Sequence, residues 1–187
     1  METYRLTADG RRNALVLLVG ALIIWAFALW TFRTTLGISY NPLRFFGSLV
    51  AAFVGGLGPG QIIPALLLLV LIVATPFVIW NIFEEYAASY TLTDDGLRFE
   101  STGVALTYPW SSISAIRRTD AADAGDEPDE TLEIGADLTG QIANPVARFL
   151  HAQAYGRTRL PIYGGVERRD ELIDEIRRRA RLAELSA

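Results

Sequence analysis

The sequence predicts a membrane α plus soluble α+β protein: a two-helix transmembrane hairpin followed by an antiparallel sheet capped by a C-terminal helix. Three observations predict this class. The runs Asn13 to Phe32 and Ile62 to Ile82 contain no charged residue, and each has the roughly 20 residues that cross a hydrocarbon core of roughly 30 Å as a helix. From Tyr86 onward, continuous apolarity gives way to alternation punctuated by turn residues, the signature of half-buried strands. From about Val166 apolar residues return at helical spacing.

Composition narrows the functions open to such a chain. Of its 187 residues, only those after Phe83 are numerous enough for a soluble domain, one of about 100 residues. The 17 basic residues, all Arg, are outnumbered by 21 acidic ones, so the basic footprint of a nucleic-acid-binding protein is missing. There is no Cys and one His, which leaves thiol chemistry out and metal ligation poorly supplied. No cofactor and no metal are expected.

The first twelve residues read as a strand. Tyr4-Arg5-Leu6-Thr7-Ala8-Asp9-Gly10 echoes Tyr90-Thr91-Leu92-Thr93-Asp94-Asp95-Gly96, and in both, alternation leads into an Asp-Gly pair of the kind that turns a hairpin. If the first strand joins the later sheet, both termini lie on one side of the membrane. The span 13–32 is expected to be retained rather than cleaved as a signal peptide, being too long for a signal h-region and ending in Trp25, Phe27, Trp30 and Phe32, an interfacial aromatic belt. Phe77, Trp80 and Phe83 form the matching belt of the span 62–82. Pro64 falls in the first turn of that span, while Pro76 falls inside it and is expected to kink it. Glu84 and Glu85 then mark the headgroup boundary, because charges within a span cost about 3 kcal/mol or more.

Between the spans, residues 45–57 are apolar apart from Ser48, yet about 13 residues reach only some 20 Å as a helix. Gly47, Ala51 and Gly55 recur every fourth position and form a candidate helix-packing stripe. Arg44 is placed to snorkel beside it. A re-entrant or interfacial helix that docks on a partner and a partly buried connector both fit this segment. Arg5, Arg11 and Arg12 before the first span, against Arg33 and Arg44 between the spans, weakly favour an N-terminus inside the cell.

In the domain 84–187, strands are expected at Ser89 to Thr93, Leu97 to Ser101, Val104 to Tyr108, Ile113 to Arg118, Thr131 to Ala136 and Arg157 to Tyr163. Pro161 assigns the last to an edge or a bulge. The stretch Asp120 to Glu130, with six acids, reads as a solvated loop. Asn144 to Gly156 reads as a short inserted helix. The closing helix, about 166–185, sets Leu172, Ile173, Ile176, Ala180 and Leu182 in one stripe, with acids early and Arg177, Arg178, Arg179 and Arg181 late, complementing its dipole. Asp174 with Arg178 and Glu175 with Arg179 have the spacing of intrahelical ion pairs. The late Arg cluster is the candidate lipid-headgroup set, each cation near an anionic surface gaining about 1 kcal/mol.

Three stretches, Tyr90 to Arg98, Tyr108-Pro109-Trp110-Ser111-Ser112-Ile113, and Leu160-Pro161-Ile162-Tyr163 ahead of Asp170-Glu171-Leu172-Ile173, resemble the bacterial pleckstrin-homology-like (PH-like) domains. The order of strand, two membrane helices and such a domain is similar to the YcxB-like membrane proteins. The resemblance implies a strongly bent, seven-stranded sheet capped by the C-terminal helix, usually cytoplasmic, and it brings no catalytic residues. Trp110 is expected as a core anchor with a bonded indole N–H. Phosphoinositide-binding relatives use a basic first hairpin loop, where this chain has Asp94, Asp95 and Gly96.

No enzyme is expected: His151 has no nucleophile and acid gathered around it in sequence, Ser111 and Ser112 lack a Gly-rich elbow, and there is no phosphate-binding loop. The expected role is a multi-pass cell-membrane protein with both termini cytoplasmic, presenting the PH-like domain to a protein partner or a second copy as scaffold, regulator or accessory subunit. The alternative is a module that senses or binds anionic lipid through Arg117, Arg118, Arg157, Arg159 and the C-terminal cluster. Membrane lipids are partners in either case, and nucleic acid in neither.

Overall fold

A computed structural model describes residues 2–55, 59–118 and 130–181. Asp120 to Asp129 of the acidic loop, residues 56–58 of the segment between the spans, and Leu182 to the C-terminus lie outside the described residues. The chain divides into two compact units, Met1–Val16 with Asn81–Ala187, and Leu17–Trp80.

The second unit is helical. Helix α1 (Ala8–Leu36) and helix α3 (Pro59–Tyr86) supply its two long elements, and both are long and apolar enough to cross a membrane. Between them lies α2 (Pro42–Val54). It begins ahead of the apolar run because Asn41 caps it, its side chain accepting from Leu43 N at 3.1 Å, and because Pro42 has no N–H to lose in the first turn. Ser48 Oγ accepts from Ser39 N at 3.0 Å, tying the helix to its lead-in. Leu43, Phe46, Val50 and Val54 are all exposed. At Pro76 the ring removes the N–H that would reach the carbonyl of Ile72. The Trp25 indole Nε1 donates to that carbonyl instead, at 3.1 Å.

The first unit is a β domain with seven strands among the described residues. Strands β1 (Glu2–Arg5), β2 (Ser89–Leu92), β3 (Gly96–Ser101) and β4 (Val104–Pro109) form one antiparallel sheet in chain order. Strands β5 (Ile113–Arg118), β6 (Glu130–Ile134) and β7 (Arg159–Ile162) form the other. Alternation places Tyr90, Leu92, Leu97, Phe99, Leu106 and Tyr108 on the buried face of the first sheet and Ile116, Leu132, Ile134 and Leu160 on that of the second. The Tyr90 hydroxyl donates to Pro161 O at 2.7 Å, joining the two. Pro161 sits in an outer strand of the three-stranded sheet, where a missing N–H leaves no partner unsatisfied. Gly96 is obligatory, since a Cβ there would stand 2.2 Å from Tyr108 O. Helix α5 (Arg169–Ala180) buries Leu172, Ile173 and Ile176.

The N-terminal strand is held on both sides. Tyr4 pairs with Tyr90 in β2, while Leu6 bridges to Val166, Thr7 N donates to Gly165 O at 2.9 Å and Glu167 N to Arg5 O at 2.8 Å. The strand that precedes α1 is therefore hydrogen-bonded to the strand that follows α3.

Several expectations are corrected. The first Asp-Gly pair opens α1 rather than turning a hairpin, because the Thr7 hydroxyl caps Gly10 N at 3.0 Å and an apolar helical run follows. The second does turn one, closed by Thr93 N to Gly96 O at 2.9 Å. Trp25 and Phe32 leave the proposed belt: one bonds α3 and the other is 2 % exposed. Trp110 lies in a 3-10 turn and is half-buried; its indole N–H reaches Asp94 O at 3.1 Å, and Arg179, 5.6 Å from the ring centroid, covers it. Asp174 pairs with Arg177 at 3.3 Å instead of with Arg178. Helix α5 starts at Arg169 rather than near Val166, because Val166 is engaged with Leu6.

Candidate functional site

The inserted segment forms α4 (Pro145–Tyr155), capped by Asn144, whose side chain accepts from Val146 N at 2.9 Å and Ala147 N at 3.3 Å. Gly156, at φ 82°, ends it in a backbone conformation that L side chains rarely adopt. One face of α4, with Ala147 and His151, is buried. The His151 ring lies between Phe99 and Tyr155, at centroid distances of 6.2 and 5.4 Å. Its Nδ1 is hydrogen-bonded to Glu84 Oε1 in the last turn of α3, and both side chains are sealed, at 1 % and 0 % exposure. Ser101 Oγ donates to the Glu84 carbonyl at 2.5 Å. Glu84 is thus an interior hydrogen-bonding residue, its side chain turned into the β domain. Burial pushes the hydroxyls of Tyr90 and Tyr163 well above their ordinary pKa, so this interior is a neutral phenol layer around the imidazole and carboxylate.

The opposite face of α4 borders a pocket of about 480 Å³ lined by Asp137, Thr139, Gly140, Pro145, Arg148, Phe149, Ala152 and Arg157. Arg148 is fixed at its edge by two bonds to Ile142 O, at 2.7 Å from Nη2 and 3.1 Å from Nε. Arg157 reaches Asp137 at 3.6 Å and remains 74 % exposed. Hydrogen bonds from the Thr139 hydroxyl and backbone N–H hold the Asp137 carboxyl below the usual carboxylate range.

The residues singled out in the sequence fall in separate places. Gly47, Ala51 and Gly55 are exposed on α2. Arg178 is 2.5 Å from Glu175, Arg179 is 2.6 Å from it, and Arg177 is engaged with Asp174. Most of the candidate headgroup cluster is therefore spent on α5 itself, while Arg181 ends that helix in a left-handed conformation. Arg117 pairs with Glu133 at 2.8 Å. Arg118 pairs in register with Glu130 and Arg159 with Glu133, toward opposite ends of β6, with the Arg118 side chain outside the described set. Of the lipid candidates, only Arg157 lines the pocket. Its companions there, Arg148 and Phe149, were not singled out by their chemistry; their one signal was i, i+1 adjacency on the polar side of a short amphipathic helix.

Among the described residues no group of His, Asp or Glu stands where it could hold a metal ion. Comparisons with protein-family models, with curated proteins and with solved structures each found no match.

Proposed function

We propose that this chain is a non-enzymatic integral membrane protein of the YcxB-like kind, whose helical hairpin holds a PH-like domain at the cytoplasmic face as a scaffold, regulator or accessory subunit of a membrane complex. The observation that carries the reading is the pairing of β1 with β2. The chain leaves the sheet domain into α1 and returns to the same sheet from α3, so two crossings in opposite directions are the economical path for the two apolar helices. Four strands and three strands closed by a C-terminal helix support the PH-like assignment. The sealing of the lone imidazole against Glu84 favours a structural use for it, since a general base must reach its substrate. The exposed apolar side chains of α2 offer a surface within the membrane to lipid or to a partner helix.

The Cys-free sequence makes topology directly testable. Single variants Asp94→Cys, in the β2–β3 turn, and Thr35→Cys, at the end of α1, are treated with a membrane-impermeant maleimide on intact cells and on inverted vesicles. The expected result is labelling of position 35 only from outside and of position 94 only from inside. Labelling of both from one side rejects the hairpin. Purification of the tagged chain in mild detergent then tests the role: proteins recovered at stoichiometric amounts support a subunit or scaffold, and a chain that runs alone removes that reading.

A further inference from the structure

We infer that α4 is a membrane-contact helix, which lays Val146 and Phe149 into the interfacial layer of the bilayer while Arg148 and Arg157 receive an anionic lipid phosphate in the pocket beside them. The inference rests on the reading that α3 crosses the membrane and adds a second, peripheral attachment to it. Position is the first argument. Glu84 lies about 3 Å along the helix axis beyond Ile82, the end of the apolar run, and its bond to His151 fixes α4 at that level. A helix is about 10 Å across, and the headgroup layer adds about 5–7 Å on each side of the hydrocarbon. A helix bonded to Glu84 is therefore within reach of that layer.

Chemistry is the second argument. After Tyr86, the exposed large apolar side chains among the described residues are Val146 and Phe149, at 62 % and 59 %. They stand on one helix, on the side away from Ala147 and His151, and they have no packing role in the sheet domain to explain them. An amphipathic helix that buries such residues in the acyl boundary and keeps Arg at headgroup height is the form of an interfacial helix. Arg148 and Arg157 outnumber Asp137 in the pocket wall, which leaves a net positive site for a phosphate. Of the C-terminal Arg residues, Arg177, Arg178 and Arg179 are already engaged by acids of α5.

The test uses the full chain in proteoliposomes, with a nitroxide on single cysteines at Phe149→Cys, Val146→Cys, Asp94→Cys and Val78→Cys. Collision with oxygen against collision with a water-soluble nickel chelate reads depth. The expected pattern is lipid exposure at 78, 146 and 149 and aqueous exposure at 94. In vesicles containing phosphatidylglycerol, the labels at 146 and 149 are expected deeper than in pure phosphatidylcholine, and the difference is expected to vanish with Arg157→Gln or in high salt. Lipid exposure at 78 with aqueous exposure at both 146 and 149 overturns the inference and leaves the membrane hairpin standing. Aqueous exposure at 78 defeats the hairpin itself. Dipolar broadening at 149 that disappears on dilution with unlabelled chain identifies a second copy, not lipid, as the occupant and also overturns it.

Discussion

The indole of Trp25 on α1 donates its N–H to the carbonyl of Ile72 on α3, at 3.1 Å, the carbonyl that Pro76 leaves without its helical partner. In a proposed span centred near Ile72, hydrocarbon supplies no donor, so a freed carbonyl must be satisfied by the protein. Trp25→Phe is expected to cost about 1 kcal/mol of helix-pair stability, in line with interhelical hydrogen bonds in membranes. In a Pro76→Ala background the new N–H takes the carbonyl, and the same Trp25→Phe change is expected to cost much less. Reversible unfolding of the four proteins in mild detergent measures the coupling; equal costs in both backgrounds would show that the indole contributes only packing.

Glu84 and His151 form a sealed pair linking the end of α3 to α4. Breaking a buried pair from one side typically costs about 3–5 kcal/mol, whereas replacing both members by apolar groups of similar size is often neutral. Glu84→Met or His151→Phe alone is therefore expected to lower the midpoint of the sheet domain's unfolding sharply, and the two together to recover most of the loss. A double change whose cost equals the sum of the singles would mean that the pair is not coupled.

Gly10 in the first turn of α1 and Gly165 before the Val166 bridge approach backbone to backbone. A Cβ on Gly10 would lie 2.8 Å from Gly165 O, and one on Gly165 would lie 3.0 Å from the Gly10 Cα. By helix propensity alone Gly10→Ala gains about 1 kcal/mol. Overpacking against backbone costs about 1–3 kcal/mol and has no flexible side chain to yield, so net destabilisation is expected. It should be accompanied by faster hydrogen exchange at Thr7 N and Glu167 N, the amides that hold the β1 junction. Gly140→Ala, with nothing within 4 Å of its Cβ, serves as the control.

Alkaline stability follows from the tyrosines of the β domain. Burial raises the hydroxyl of Tyr4 to about 12 and those of Tyr90, Tyr108 and Tyr163 above their ordinary value. A group whose folded pKa is raised contributes stability that is fully present below the unfolded pKa of about 10 and is lost as pH rises through the folded value. The domain should thus hold its stability up to about pH 10 and lose it above. Phenolate absorbance is expected to rise in step with loss of near-ultraviolet circular dichroism. Ionisation of all tyrosines well below the unfolding transition would contradict it.

The β strands after Tyr86 were legible because alternation in half-buried strands reports directly which side chains face a core. Leu97, Phe99, Val104, Leu106 and Tyr108 do so at every second residue. The candidate site was less legible. His151 read as an isolated imidazole and Glu84 as a boundary charge, because their bond spans 67 positions and leaves no local pattern. The Arg run of α5 read as available charge, since sequence shows spacing but not which acid each guanidinium takes.

By itself the sequence determined the two long apolar helices, the strand-rich region after them and the closing helix, because uncharged length and side-chain periodicity are local properties of a chain. Only the tertiary structure decided that β1 pairs with β2 across the whole helical insertion, that Trp25 answers the carbonyl freed by Pro76, and that α4 is bonded to the last turn of α3. Each of these joins groups far apart in sequence, and each is selected by the need to satisfy a buried polar group, a demand that exists only once the chain has folded around it.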